Sequence, residues 1–414
     1  MKIYWHETPG QSREFTSKLL KYWWTKHGGK LVNQGERCDL VCASFCTPRE
    51  INVLKSARSI ANSMNVPLLA GGPEAYIGST YLAWADYLCI GEGYALLQKL
   101  VTEGLGILDT CDHVLSRGDP NKIITPDYDI PWNQLPAIQT SPTAYYYMAG
   151  RGCYRKCQFC YTSWTQPHQS CPQIFRAAAL KNLPGKSHAI FVTNDDGGMA
   201  SQSGSMTVEK FLAYKGKKLP RVIRLGIERF TEDDRRSVGK PVSDGDIAAV
   251  ITKAKRLGRQ LELFYIIGWH NDPESNDAFL PITNLLSTEC VRHPRIYLKF
   301  TWFEPAPHTP LADYDLTRLV TWDYQKAALS LRAISGRYRI FKAGQPGYAI
   351  WSAVLRRLGP AKALAWAEKR NVCSKIKTFK EAIDLAVSIV GEHIVTGREK
   401  DWPWKRIKCL IRRP

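Results

Sequence analysis

Long hydrophobic runs are missing from this sequence. No stretch approaches the ~18 uninterrupted apolar residues of a membrane-spanning helix, so no membrane association is expected. The opening MKIYWHETPG has no apolar core of the kind an export signal carries, and the expected location is therefore cytoplasmic. Internal repeats and low-complexity stretches are also absent. Carboxylates are scarce: 38 Asp and Glu stand against 57 Lys and Arg, a formal charge of +19. With 44% apolar and 11% aromatic residues, the composition excludes a disordered chain. At roughly 150 residues per domain, the 414 residues suit two or three domains.

Twelve cysteines are present. In a reducing compartment, clustered thiols serve as metal ligands or catalytic groups more often than as disulfides. The positive charge is concentrated as well. Residues 331–414 hold 19 Lys and Arg against 6 Asp and Glu, so +13 of the +19 lies in the last 84 residues.

Short apolar runs alternate with helical patterns from the start, as a parallel sheet requires. Lys2–Trp5, Leu40–Ala43, Pro67–Ala70 and Tyr87–Ile90 read as strands, with helices at Ser12–Lys26, Pro48–Met64 and Ser79–Trp84. The expectation for 1–105 is a Rossmann-like unit whose ligand site lies at the strand C-termini. Residues 106–143 contain Pro120, Pro126, Pro131 and Pro136 and read as a linker. A second α/β region follows over 144–330, with strands at Ala144–Met148, Ala189–Thr193, Arg221–Gly226, Glu262–Ile267 and Arg295–Phe300. Its clearest helix is Ser243–Leu257. That count suits a partial β/α barrel, because a full eight-fold barrel typically takes ~250 residues. Residues 331–414 read as a basic helical module.

The densest chemical signal is Gly150-Arg151-Gly152-Cys153-Tyr154-Arg155-Lys156-Cys157-Gln158-Phe159-Cys160-Tyr161. Three thiols within eight residues can turn toward one another only from a tight loop, and soft iron prefers thiolate ligands. Three ligands would leave one iron of a [4Fe–4S] cube open. A structural zinc site is the alternative; it needs a fourth ligand, for which Cys171 or His168 is close enough in sequence.

This C-x3-C-x2-C loop resembles that of the radical S-adenosylmethionine (SAM) superfamily. Asn194-Asp195-Asp196 at a strand end, Arg224-Leu225-Gly226-Ile227-Glu228-Arg229 (like G-I-E-S, with Arg229 for Ser) and Arg236–Pro241 resemble its later elements in order. So do Phe264–Trp269 with Asp272-Pro273-Glu274, and Phe303–Leu311, where His308 replaces a usual Gly. The resemblance implies a partial (β/α)6-type barrel. It implies a [4Fe–4S] cluster on Cys153, Cys157 and Cys160, and SAM contacted by Phe159, Asn194, Asp195 and Glu228. It also implies reductive cleavage of SAM to a 5′-deoxyadenosyl radical, fed by a flavodoxin- or ferredoxin-type reducing partner. A rim salt bridge between Glu228 and Arg224 is the alternative use of that carboxylate. The resemblance does not assign catalytic residues.

Gly71-Gly72-Pro73-Glu74 and Gly91-Glu92-Gly93 resemble the ligand loops of the cobalamin-binding domain that precedes many radical SAM methyltransferases. Cobalamin is accordingly a candidate cofactor at Gly71, Gly72, Gly91, Glu92 and Gly93, although the D-x-H-x-x-G element that supplies an axial histidine is absent. A docking or vestigial domain is the alternative. A second cluster, as in methylthiotransferases, is disfavoured because Cys38 and Cys42 lie ~13 Å apart along an extended segment.

The cations of 331–414 are interleaved with Trp351, Trp366, Trp402 and Trp404. Cations can track phosphates and aromatics can stack on bases. Arg356, Arg357, Lys405, Arg406 and Lys408 are therefore candidate docking residues for an anionic substrate, with nucleic acid or a nucleotide favoured by the breadth of the field. The bland alternative is a solvated helical face over core tryptophans. Three functions follow: a radical SAM enzyme acting on an anionic substrate, a cobalamin-dependent radical SAM methyltransferase of a small molecule or peptide, or a non-catalytic iron–sulfur nucleic-acid-binding protein.

Overall fold

The computed structural model describes residues 1–7, 14–139, 144–181, 183, 188–192, 205–215, 219–269, 296–321, 338–341, 344–398 and 402–408. The N-terminal sheet contains β1 (Lys2–His6), β2 (Lys30–Val32), β3 (Leu40–Ser44), β4 (Leu68–Gly71), β5 (Tyr87–Cys89) and β6 (Val114–Ser116), ordered β2-β1-β3-β4-β5-β6. The first five are parallel and β6 runs antiparallel to β5. Every residue of β3 is buried, as in a parallel strand covered on both faces. Its period of two divides it between two cores. Leu40 and Cys42 meet helices α1 (Glu14–Lys26) and α3 (Tyr94–Glu103), whereas Val41 and Ala43 face α2 (Ile51–Met64). Helix α2 buries Ile51, Leu54, Ala57 and Ala61 at helical spacing and stops where Asn65 takes a left-handed φ of 52°. The expected helix at Ser79–Trp84 is a kinked run of tight turns over Pro73–Ala83. Strand β6 comes from the stretch expected to be a linker.

The second region holds β7 (Ile138–Gln139), β8 (Ala144–Met148) and β11 (His188–Val192) in one small sheet. A hairpin of β9 (Gly150–Arg151) and β10 (Gln169–Ser170) follows β8, and helix α4 (Gln173–Lys181) follows the hairpin. Strands β12 (Ser205–Met206), β13 (Val222–Glu228), β14 (Gln260–Ile267), β15 (Ile296–Trp302) and β16 (Tyr338–Phe341) form a wholly parallel sheet in that order. Along β13, Ile223, Leu225 and Ile227 are buried. They share a core with Ile247, Val250, Ile251 and Ala254 of α5 (Asp244–Arg256), which starts at a Ser243/Asp246 capping box. Arg224, Gly226 and Glu228 alternate onto the other face. The architecture is thus α/β: a Rossmann-like sheet followed by a partial barrel of the radical SAM type.

Residues 331–414 supply β16 to the barrel sheet as well as helices α6 (Pro346–Leu355), α7 (Pro360–Ala367) and α8 (Phe379–Val390). Trp351 and Trp366 are fully buried, and each donates its indole N–H to the other's carbonyl, at 3.2 and 2.9 Å. One continuous apolar core runs from β3 and α2 through β13–β15 to α6, α7 and α8.

Candidate active site

The cysteine loop leaves β9 at the C-terminal end of the barrel strand β8. Cys153 and Cys157 are buried, Cys160 is partly exposed, and none is in a disulfide. The loop is stitched to the turn after the Gly-Ile-Glu strand: Gln158 donates its backbone N–H to Val238 O at 3.0 Å and its side-chain amide to Ser237 O at 2.7 Å. Cys157 Sγ lies 3.6 Å from Gly239 O, and Trp164 Nε1 donates to Cys157 O at 2.9 Å. Among the described residues no three His, Cys, Asp or Glu side chains form a site for a single metal ion. A cube needs no such convergence, because each thiolate binds its own iron. The zinc alternative finds no fourth ligand in the expected places. Cys171 Sγ sits 3.2 Å from Tyr147 Oη, and the His168 ring lies edge-on to Tyr154 at 5.7 Å. Three cysteines outside any disulfide, on one anchored loop, fit a three-ligand iron–sulfur cluster.

Glu228 ends β13 with φ 74°, just after a bulge that shifts the β13/β14 register between Gly226 and Glu228. A side chain forced into left-handed backbone is a mark of functional sites. Its carboxylate folds back over Gly226, where a Cβ would lie 2.1 Å from Glu228 Oε1, so a side chain there would push the carboxylate aside. Among the described residues its ion-pair partner is the buried Lys240, at 3.4 Å, not Arg224. Arg224 instead reaches Glu262 directly opposite on β14 at 2.7 Å, and Lys299 reaches the same carboxylate at 3.1 Å. Burial pushes the Glu262 carboxyl up, but these two cations hold it below its ordinary value. Phe159 is half-buried against the core beside the loop. Asn194, Asp195 and Asp196 lie outside the described residues.

The N-terminal ligand loops meet in a pocket at the C-terminal ends of β1, β3, β4 and β5. Gly71, Gly72, Gly91, Glu92 and Gly93 all line it, together with Trp5, Leu20, Leu69, Leu96 and Leu97. Gly91 has φ 124°, and a Cβ there would lie 2.1 Å from Asp127 O. Cys42 and Cys89 are in the wall, and burial raises both thiol pKa values, keeping them protonated and apolar in character. Trp5 presents a buried indole N–H with no hydrogen-bond partner. No histidine lines the pocket. These features fit a ligand that approaches the backbone closely against a mostly apolar wall.

Arg151 also lines this pocket, two residues before Cys153. Its Nε donates to both oxygens of Glu92 at 2.9 Å in a buried pair. The cluster loop and the N-terminal pocket therefore share a wall. Neither Arg151 nor Lys240 is assigned a role by the sequence reading. Both stood inside quoted motifs, but nothing in the sequence shows their partners.

The basic segment behaves differently from expectation. Arg356 is buried and bidentate to Glu74, at 2.8 and 3.0 Å, and Arg356 Nη1 is 3.6 Å from Glu304. Arg357 is buried too. It donates to the carbonyls of Ile394, Val395, Ala312 and Tyr314, and burial lowers its pKa to about 10. Neither guanidinium has a face for a phosphate. Lys405, Arg406 and Lys408 are exposed, on a strip tied to Ile124 through Arg406 O and Lys408 N. Trp402 and Trp404 stack on each other at 5.0 Å and are buried, as are Trp351 and Trp366, so all four tryptophans are unavailable for stacking on bases.

The fold and these two sites define a class: an α/β protein with the architecture of radical SAM enzymes that carry a cobalamin-binding domain. No family model and no curated protein matches the sequence. Solved structures do. The radical SAM methyltransferase TsrM from Kitasatospora setae, with cobalamin and a [4Fe–4S] cluster bound, matches at TM-score 0.55 and 8% identity, over 93% of this chain and 99% of that one. The same enzyme with its tryptophan substrate and a SAM analogue, aza-SAM, matches at 0.53 and 9%, over 75% of this chain and 74% of that one. The cobalamin-dependent SAM radical enzyme OxsB with aqua-cobalamin matches at 0.52 and 11%, over 71% of this chain and 52% of that one. At such identities the likeness is one of fold. Among the described residues no helix is long and apolar enough to cross a membrane.

Proposed function

We propose that this protein is a cobalamin-dependent radical SAM enzyme that transfers a methyl group to a small-molecule or peptide substrate. The observation that carries the reading is Arg151, one residue that both lines the glycine-rich pocket and leads into the cysteine loop. Fold agreement along nearly the whole of a methyltransferase chain supports it. When bound, the cluster supplies the electron that opens SAM at its sulfonium carbon bond, and cobalamin supplies a carrier for the methyl group.

The chain's own residues do the holding and orienting. Cys153, Cys157 and Cys160 would ligate three irons. Glu228, locked over Gly226 by Lys240, would accept hydrogen bonds from the polar end of SAM. Phe159 would cover the adenine, and Glu92 and Arg151 would fix the pocket edge nearest the cluster. The nucleic-acid reading loses the four tryptophans, Arg356 and Arg357 as contacts and keeps only the exposed Lys405, Arg406 and Lys408 of its candidate residues.

The test is anaerobic reconstitution with iron, sulfide and hydroxocobalamin, followed by SAM and a reductant. The expected results are bound corrinoid in the visible spectrum and formation of S-adenosylhomocysteine or 5′-deoxyadenosine. A protein with a full complement of iron and sulfide that retains no corrinoid and forms neither product would overturn the reading.

A further inference from the structure

A further cavity lies at the end of β8 away from the cysteine loop. The loop follows the C-terminal end of that strand, whereas Tyr145, the second residue of β8, stands in the wall of a cavity of about 350 Å³. Tyr22 of α1, Trp132 of the stretch between β6 and β7, and Phe175, Ala178 and Ala179 of α4 belong to the same wall. Phe175, Ala178 and Ala179 fall at i, i+3 and i+4, so one face of α4 carries a ring beside two side chains too short to fill the space in front of them.

The wall has a consistent chemistry. Twelve described residues line the cavity and none is charged, where the chain's 23% of charged residues would give about three. Four of the twelve carry aromatic rings, and each ring comes from a different element. Asn133 and Gln134 add side-chain amides at the exposed rim. Lys26 Nζ donates to Gln134 Oε1 at 2.9 Å, which ties the rim to α1 and leaves the lysine outside the wall. Apolar and aromatic walls with a few placed polar groups, around a space of about 300 Å³ or more, are the usual make-up of small-molecule sites.

We propose that this cavity is an accessory binding site for an uncharged, planar aromatic molecule of one or two fused rings with hydrogen-bonding groups at its edge. Rings gain from stacking on rings, beyond the area they bury. An ion would give up its hydration against a wall that holds no opposite charge, so the site selects neutral ligands. The rim amides offer donors and an acceptor to the ligand's edge. Binding is non-covalent, and it does not depend on the cluster or on the N-terminal pocket. Its consequence lies in where the wall comes from: β8 leads into the cysteine loop and α4 leaves the hairpin behind it, so an occupant braces this strand–helix unit against α1 of the N-terminal sheet.

Titration of the purified full chain with Prodan, a neutral naphthalene fluorophore whose emission moves to shorter wavelength in an apolar site, tests this. The expected result is saturable binding of one probe per chain, with a melting temperature that rises with probe concentration. Tyr22→Ala removes a ring that is 37% exposed, so the fold should tolerate it, and it should weaken binding about tenfold, the worth of one ring stack. Ala178→Trp fills the cavity and should abolish binding. Thr16→Trp narrows the N-terminal pocket instead and should bind the probe as wild type does. Absence of saturable binding would overturn the proposal. Equal affinity in wild type, Tyr22→Ala and Ala178→Trp would do the same, and so would a loss confined to Thr16→Trp, which would put the probe in the N-terminal pocket. Where Ala178→Trp does not fold, Tyr22→Ala decides by itself. None of these results bears on whether cluster or corrinoid is bound, so the proposed function stands or falls separately.

Discussion

Replacing Arg356 by methionine preserves the length of the side chain and removes its charge. In the wild type this guanidinium makes two hydrogen bonds to Glu74, at 2.8 and 3.0 Å, while Tyr81 donates a third to the same carboxylate at 2.8 Å. Glu74 is 1% exposed, so water cannot take the place of the lost partner. Breaking a buried pair from one side costs about 3–5 kcal/mol, because the other charge is left uncompensated. The double variant Glu74→Gln/Arg356→Met removes both charges and should recover at least half of that loss. Burial already pushes the Glu74 carboxyl above its ordinary value against the pull of Arg356, and the single variant removes that pull. A carboxyl whose pKa is raised on folding contributes most below its unfolded pKa and loses that contribution as pH rises through the folded value. The deficit of Arg356→Met should therefore be small in acid and grow toward neutral pH. Urea denaturation at several pH values reads both effects. A single variant within 1 kcal/mol of wild type, or a double variant no better than the single, would refute the reasoning and return Arg356 to the surface as a docking residue.

Cys157→Ala should abolish the ~400 nm absorbance of the reconstituted cluster, and iron content should fall with it. Gly226→Ala would drive a Cβ into Glu228 Oε1. It should weaken SAM binding about tenfold or more, the worth of a hydrogen bond to a charged group, while the melting temperature moves little; calorimetric titration and thermal melts separate the two. His308 has φ 61° and donates from Nε2 to Tyr76 O at 2.7 Å, and burial lowers its pKa to about 4. A depressed histidine stabilises the fold above its unfolded pKa and loses that contribution as pH falls through the folded one. Up to about 3 kcal/mol should thus disappear between neutral pH and about 4. His308→Asn, which tolerates left-handed backbone, should flatten that part of a stability-against-pH curve; parallel curves would exclude His308 as the source.

The central strands were readable because they are short, almost wholly apolar and bounded by turn residues, as Leu40–Ser44 shows. The cysteine loop was readable because its spacing is local. Three-residue strands such as Lys30–Val32 and Val114–Ser116 carry no periodicity to detect, so the second of them reads as linker in the sequence. The partner of Glu228 was hidden for a different reason. Four residues along a regular strand, Arg224 seemed available, but the bulge and left-handed turn carry Glu228 to Lys240, and a cross-strand carboxylate takes Arg224. Counting charges in 331–414 could not reveal direction. Arg356 and Arg357 follow the apolar helix Pro346–Leu355 and turn inward with it, toward Glu74 and four carbonyls.

The single apolar core that joins the N-terminal sheet, the barrel and the C-terminal helices constrains how the molecule can work. It leaves no greased plane along which one half could slide or swing against the other without exposing buried tryptophans. The wall of Arg151 and Glu92, which the cysteine loop shares with the N-terminal pocket, is set into this frame. A substrate of the proposed reaction would therefore meet a site whose dimensions the frame sets, and its size would select it as much as any contact.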